Sequence, residues 1–286
     1  MKIIRTLLGT FSEEETAYLR QFGIDIPANT LKRFYIEDGE NYNKIFSRLE
    51  KSTSNCWEYE RFKQGKNKIF KFSRKDIADS KYCKLRVVLG GGYPQPDGTG
   101  EFMEITYNKD YCEKCFLPRA QINNFRVNKI SNRPIWGFTA WIFDVIFVHE
   151  DFYKQVFEPL GIKCRPVEKV SGKIREGIVQ LVLPITNIPM EYPYHTFEIC
   201  PICGSKRYIH WWNYPCYPEP QHSSSDLFLS KEVFGRGWGN THDIFISSEL
   251  AIKLLDLKAI RLDDLVPCRK DFAEYIEKHP DYNMNH

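Results

Sequence analysis

Two short turns carry most of the chemistry this chain can offer: Cys112-Glu113-Lys114-Cys115, and Cys200-Pro201-Ile202-Cys203-Gly204. A Cys-x-x-Cys spacing aims two sulfurs at one centre while N–H groups of the turn donate to them. Two such turns supply the four thiolates of a tetrahedral zinc site. Pro201 fixes one φ angle, and Gly204 suits the left-handed conformation that ends such a turn. In the first turn Phe116 stands where that glycine would be. Cys112, Cys115, Cys200 and Cys203 are therefore the expected ligands of one structural Zn2+. Two other chemistries use the same residue types. A dithiol redox centre normally opens a helix after a strand, and neither pair here precedes a clear helical pattern. An iron–sulfur cluster also takes four cysteines, but nothing further in the chain recommends one. His195, His210 and Cys216 lie near the second pair and are candidate substitutes for a ligand. Cys56, Cys83, Cys164 and Cys268 read as small buried hydrophobes.

Catalytic signatures are not found. Gly90-Gly91-Gly92 follows an apolar run, as a phosphate cradle would, but lacks the Lys-Ser/Thr of a P-loop and the spacing of a dinucleotide fingerprint. It reads as a turn. Thr241-His242-Asp243 could supply a base and its orienting acid, but no nucleophile elbow accompanies it. Asp243 is expected at a loop-to-strand junction and Glu249 at a helix start. A four-thiolate zinc has no open coordination position and so activates no water. No catalytic residue is assigned.

A nucleic-acid interface is the rival reading. Ten basic residues lie between Arg61 and Arg86, against Asp76 and Asp79 alone. Lys63, Lys66, Lys68 and Lys71 alternate there with Phe62, Phe70 and Phe72, the mixture found on strand-binding surfaces. Lysines on an edge strand also discourage aggregation, and a net charge of +3 is far from a strongly basic balance.

The chain has 286 residues, 42% of them hydrophobic and 15% aromatic, enough for a sizeable core. The longest apolar stretch, 136–148, contains Asp144 and falls short of the roughly 20 residues of a bilayer span. Arg5 and Glu13-Glu14-Glu15 argue against a signal peptide. Nine cysteines, an odd number with two paired turns, fit reduced thiols and metal better than disulfides. A cytoplasmic protein with no membrane partner is expected.

The elements that must hold the two turns are read from pattern. Ser12 with Glu15 forms a capping box, opening a helix that ends at Gly23. Strands are expected at 32–36, 66–72, 85–89 and 102–107, and a helix at 41–51. Further on, Ile146-Phe147-Val148-His149-Glu150-Asp151-Phe152 aligns with Ile244-Phe245-Ile246-Ser247-Ser248-Glu249-Leu250. A helical stretch and a short apolar exit come after each. This is either an internal duplication or two ordinary strand–helix–strand units. A duplication would set the two cysteine turns symmetrically about one metal. The fold expected is α+β: mixed and antiparallel sheets with short helices, an N-terminal α+β region over 1–108, and a zinc-stapled region over 109–286. The two similar units span 109–168 and 198–268.

The two turns, with the segments downstream of them, resemble the bacterial double-CXXCG motif proteins. The shared features are Cys112 and Cys115 followed by Gln121, then Cys200-Pro201-Ile202-Cys203-Gly204. After these come Asp226-Leu227-Phe228, the stretch from Asp243 to Glu249 with its helix, and an apolar exit at 260–266. The resemblance covers about 112–268, and Phe116 departs from the motif's glycine. It implies a zinc-stapled scaffold that binds a protein and does not catalyse: an immunity protein whose partner is a cognate bacterial toxin. The alternative is a zinc-ribbon nucleic-acid binder using Lys63, Lys66, Lys68 and Lys71.

Overall fold

The structure is a computed structural model that describes residues 1–50, 68–87, 89–97, 100–193, 195–209, 215–221 and 225–279. Its contacts divide the chain into two compact units. One is built on Met1–Ser73, and the other comprises Arg74–His210 with Cys216–Ala273. Seven α-helices occur among the described residues, together with mixed and antiparallel sheets, so the protein is α+β. No helix among the described residues is long and apolar enough to cross a membrane.

In the first unit, β1 (Lys2–Thr10) lies between β2 (Leu31–Glu37) and β3 (Lys68–Lys71), antiparallel to both. The capping box forms: Glu15 N–H donates to Ser12 Oγ at 3.2 Å and Ser12 N–H to Glu15 Oε2 at 2.7 Å, opening α1 (Glu13–Arg20). Helix α2 (Glu40–Leu49) buries Tyr42, Ile45 and Leu49 at helical spacing. They meet Leu7, Phe11, Leu19 and Phe34 in one core.

The second unit holds two larger sheets. The six-stranded one uses β5 (Pro94–Gln95), β6 (Arg126–Val127), β7 (Ile135–Trp136), β8 (Phe147–His149), β9 (Lys163–Lys169) and β10 (Ile174–Val182), in the order β5-β6-β9-β10-β8-β7. The seven-stranded one uses β4 (Tyr82–Leu85), β11 (Phe197–Ile199), β12 (Lys206–Tyr208), β13 (Tyr217–Pro218), β14 (Leu227–Phe234), β15 (Thr241–Ser247) and β16 (Leu265–Arg269). Their order is β11-β12-β14-β15-β4-β16-β13. The helices of this unit are α3 (Arg74–Ala78), α4 (Glu101–Thr106), α5 (Glu150–Val156) and α6 (Ser248–Asp256), while α7 (Phe272–Lys278) falls mostly in residues of the first unit, which also takes in Glu274–His286.

The two aligned segments build the same plan. From β8 the chain passes through α5 to β9, and both strands are antiparallel to β10, which lies between them. From β15 it passes through α6 to β16, and both are antiparallel to an intervening β4. A further antiparallel neighbour completes each set, β7 on β8 and β14 on β15. The inserted strand differs in origin: β10 comes after its segment in the chain, whereas β4 precedes its own. Ser247 caps α6 by accepting from Leu250 N–H at 3.2 Å, the role a serine at a strand-to-helix corner suits.

Local expectations change at three places. The strand expected at 85–89 falls instead at Tyr82–Leu85, where β4 pairs with β15 and β16. The stretch 102–107 is not a strand: Glu101–Thr106 is a short helix. Its buried Phe102, Met103 and Thr106 fall on one helical face, with Glu101 and Glu104 near the N-terminus. Phe102 joins Phe125, Trp136, Phe138 and Phe147 in an aromatic core. The triple glycine has a packing cause. A Cβ on Gly91 would come within 2.2 Å of the Trp136 ring, while the Gly90 and Gly91 N–H groups donate to Gly137 O. Backbone lies flat on indole there, and a side chain would prevent it.

Candidate metal centre

Each cysteine pair sits in a turn closed by the same two backbone hydrogen bonds. In the first, Phe116 N–H donates to Cys112 O at 2.6 Å and Cys112 N–H to Leu117 O at 3.0 Å. In the second, Gly204 N–H donates to Cys200 O and Cys200 N–H to Ser205 O, both at 2.9 Å. The residue after the second cysteine is left-handed in both, with φ of 58° at Phe116 and 73° at Gly204. Phe116 therefore adopts the backbone conformation glycine would take more easily. Its ring packs against the aromatic core and lies 5.4 Å from that of Tyr111, which offsets the strain. The second turn tips the β11–β12 hairpin, whose register runs from Phe197 opposite Tyr208 to Ile199 opposite Lys206.

The two turns meet. Cys112 Sγ is 3.9 Å from Cys200 Sγ, and Cys115 Sγ is 3.3 Å from Cys203 Sγ. All four sulfurs lie within 4.8 Å of one another, close enough to bind one metal ion. Neither contact is a disulfide, since all four cysteines are free. Cys115 and Cys200 are buried with Leu117, and Val233 packs against them, so apolar atoms shield the inner side of the cluster. Cys203 is exposed.

The surroundings favour sulfur anions unequally. The Ser205 hydroxyl and backbone N–H, with Cys115 beyond them, hold the Cys203 thiol down to about 6. Backbone N–H groups of Cys203 and Ile202 lower Cys200. Burial, and then the neighbouring Cys203, pushes Cys115 up to about 12. A bound cation reverses that last effect, because a coordinating thiol is deprotonated outright. Further residues lock the first turn. Asn240, 1% exposed, donates through Nδ2 to Cys115 O and to Gly237 O, and Arg119 reaches Asn240 O. Such links hold a ligand's orientation. Neither Asn240 nor Arg119 carries a motif, so the sequence offers no signal for them.

The other candidates lie elsewhere. His195 is buried, its ring 4.7 Å from that of Tyr192, and neither it nor the buried Cys216 joins the sulfur cluster. Cys83 and Cys268 are buried and Cys164 half-buried, whereas Cys56 and His210 fall outside the described residues. Of the lysines in the basic stretch, Lys68 is 3% exposed and Lys71 half-buried on β3, while Lys63 and Lys66 fall outside the described residues. Asp243 lies within β15, not at its edge. Its carboxylate is 2.6 Å from Lys84 Nζ, which also donates to Tyr217 Oη at 2.9 Å. His242, its neighbour on the strand, has Nδ1 at 2.7 Å from Ser230 O and 3.1 Å from Glu232 O. No protein-family profile, curated protein or solved structure matches the chain.

Proposed function

We propose that this protein is a zinc-stapled, non-catalytic binding protein of the immunity type, whose partner is a bacterial protein toxin. The observation that carries the reading is the convergence of Cys112, Cys115, Cys200 and Cys203 within 4.8 Å. Zn–S bonds of about 2.3 Å in a tetrahedron place sulfurs about 3.8 Å apart. The 3.3 and 3.9 Å contacts bracket that spacing. A multi-iron cluster must spread its terminal thiolates wider than one ion does, so a single soft divalent ion fits better. Four protein ligands fill the coordination sphere, which favours a structural role.

The binding role draws on the double-CXXCG resemblance and on the surface around the second turn. Phe197, Ile199 and Ile202 are 47%, 60% and 70% exposed, three large apolar side chains on one hairpin at the edge of the sheet. Exposed apolar clusters of this kind mark interaction surfaces. Phe197 and Ile199 sit on the outermost strand of the sheet, where an approaching chain can add a strand. Elemental analysis of the purified protein should find one zinc per chain. Co-expression with a candidate toxin from a neighbouring gene should restore growth, and Phe197→Asp, on the exposed edge strand away from the sulfurs, should abolish that protection while leaving zinc content unchanged. A zinc-free folded protein would overturn the first half of the reading, and absence of protection the second.

A further inference from the structure

A second polar site lies in the same unit, apart from the sulfurs. The segment after β10 joins β14 through backbone bonds: Leu229 N–H donates to Pro184 O at 2.8 Å and Thr186 N–H to Leu229 O at 2.9 Å. Beside this join is a cavity of about 270 Å³ whose polar lining includes Tyr107, Arg119, Asp144, Arg165 and His242. Gln121 and Gln180 close one wall and satisfy each other through two amide hydrogen bonds of 2.9 and 2.7 Å.

The remaining groups are mostly donors. Tyr107 is 5% exposed, and its hydroxyl has no hydrogen-bond partner among the described residues. That hydroxyl is on the cavity lining and is available to a ligand as a donor. Arg165 donates from Nη1 only to Gln121 O, at a long 3.4 Å, and makes no ion pair with a carboxylate among the described residues. The Arg119 guanidinium carbon sits 4.8 Å from the centre of the Tyr107 ring. The two carbonyls at His242 Nδ1 can only accept, so Nδ1 carries the proton and Nε2 is left for other partners. Asp144 is the one acid in the lining, and its Oδ2 already accepts the His242 N–H at 3.0 Å. Two guanidiniums against one engaged carboxylate leave the cavity cationic.

We propose that this cavity binds a small carboxylate-bearing anion, held by the Arg165 guanidinium and the Tyr107 hydroxyl, with Arg119, engaged at Asn240 O, adding positive charge. A planar fork of N–H donors matches a carboxylate in two parallel hydrogen bonds, and the phenol adds a third donor. A volume near the lower limit of ligand pockets restricts the occupant to a compact molecule. The site holds none of the four cysteines, although Arg119 also donates to the carbonyl of Asn240, the residue that holds the first cysteine turn.

Succinate is a suitable probe. Calorimetric titration of the metal-loaded full chain, at low ionic strength, is expected to give a dissociation constant below 1 mM, with inorganic phosphate weaker. Arg165→Gln should weaken succinate at least tenfold, and Arg165→Lys less, since charge survives and the fork does not. Arg165 is half-buried, so both variants are expected to unfold at the wild-type denaturant midpoint. Tyr107→Phe gives an independent reading through loss of one donor, with a three- to tenfold weakening. Absence of heat with 10 mM succinate would overturn the proposal. So would equal binding by Arg165→Gln, or equal displacement of succinate by phosphate and chloride.

Discussion

Cys203→Ser separates the metal's contribution from that of packing. The other three cysteines are wholly or partly enclosed, so replacing them also disturbs the core. Cys203 is exposed, and a serine there leaves no void. The structure sets the size of the expected effect. The metal would join Cys112 to Cys200 and Cys115 to Cys203, each pair 88 residues apart. Cross-linking a loop of that length removes unfolded-state entropy equivalent to roughly 4 to 5 kcal/mol. That is a large share of the ~5–15 kcal/mol typical of a whole domain. Urea unfolding followed by tryptophan fluorescence, in metal-replete buffer, should therefore show the variant destabilised by about 3 to 5 kcal/mol, since three thiolates retain part of the affinity. With a strong chelator present, wild type and variant should unfold at the same urea concentration. Two results would contradict this account: equal stability in metal-replete buffer, or a difference that survives chelation unchanged. The second would mean that Cys203 acts through contacts other than a metal.

Lys84→Met strands the buried Asp243 carboxylate and should cost about 3 to 5 kcal/mol in denaturant unfolding, whereas Lys84→Met with Asp243→Asn should recover at least half. Burial alone would lower the Lys84 pKa, but Asp243 and Tyr217 outweigh it and hold it above 10.5. A cation raised in the folded state stabilises fully below its unfolded pKa of about 10.4 and loses that stabilisation as pH rises through the folded value. The gap between wild type and Lys84→Met should therefore stay constant through neutral pH and close only in the alkaline range. Gly204→Ala meets no atom within 4 Å but keeps a φ of 73°, so thermal unfolding should reveal a purely conformational cost of about 1 to 2 kcal/mol. Asn240→Asp puts a carboxylate against the carbonyls of Cys115 and Gly237 and should lower metal affinity 10- to 100-fold in a competition titration with a chromogenic chelator.

The thiolate cluster was legible because its signal is local and chemical: a fixed spacing in each turn, with Pro201 and Gly204 shaping one of them. The same holds for the Ser12–Glu15 cap, for β2, for α2, and for the passage from β15 into α6. What stayed hidden depends on distant partners. Residues 102–107 have enough β-forming character to suggest a strand, but burial of Phe102, Met103 and Thr106 against a remote aromatic core selects a helix. The left-handed Phe116 contradicts local preference and is tolerated because its ring finds Tyr111. The aligned segments around β8 and β15 are visible in the chain, but not that β10 and β4 slot into them from opposite directions. Lys84 read as one cation among several in a basic stretch, because its acid lies far along the chain on β15.

The 88-residue interval between matching sulfurs also has a consequence in time. A ribosome adding roughly 5–20 residues per second exposes the first thiol pair about 4 to 18 s before the second exists. Over that interval Cys112 and Cys115 form half a socket, open to oxidants and to any thiophilic ion. Slow or interrupted translation across this interval prolongs that exposure, so the yield of correctly loaded protein should track elongation speed as well as the supply of metal.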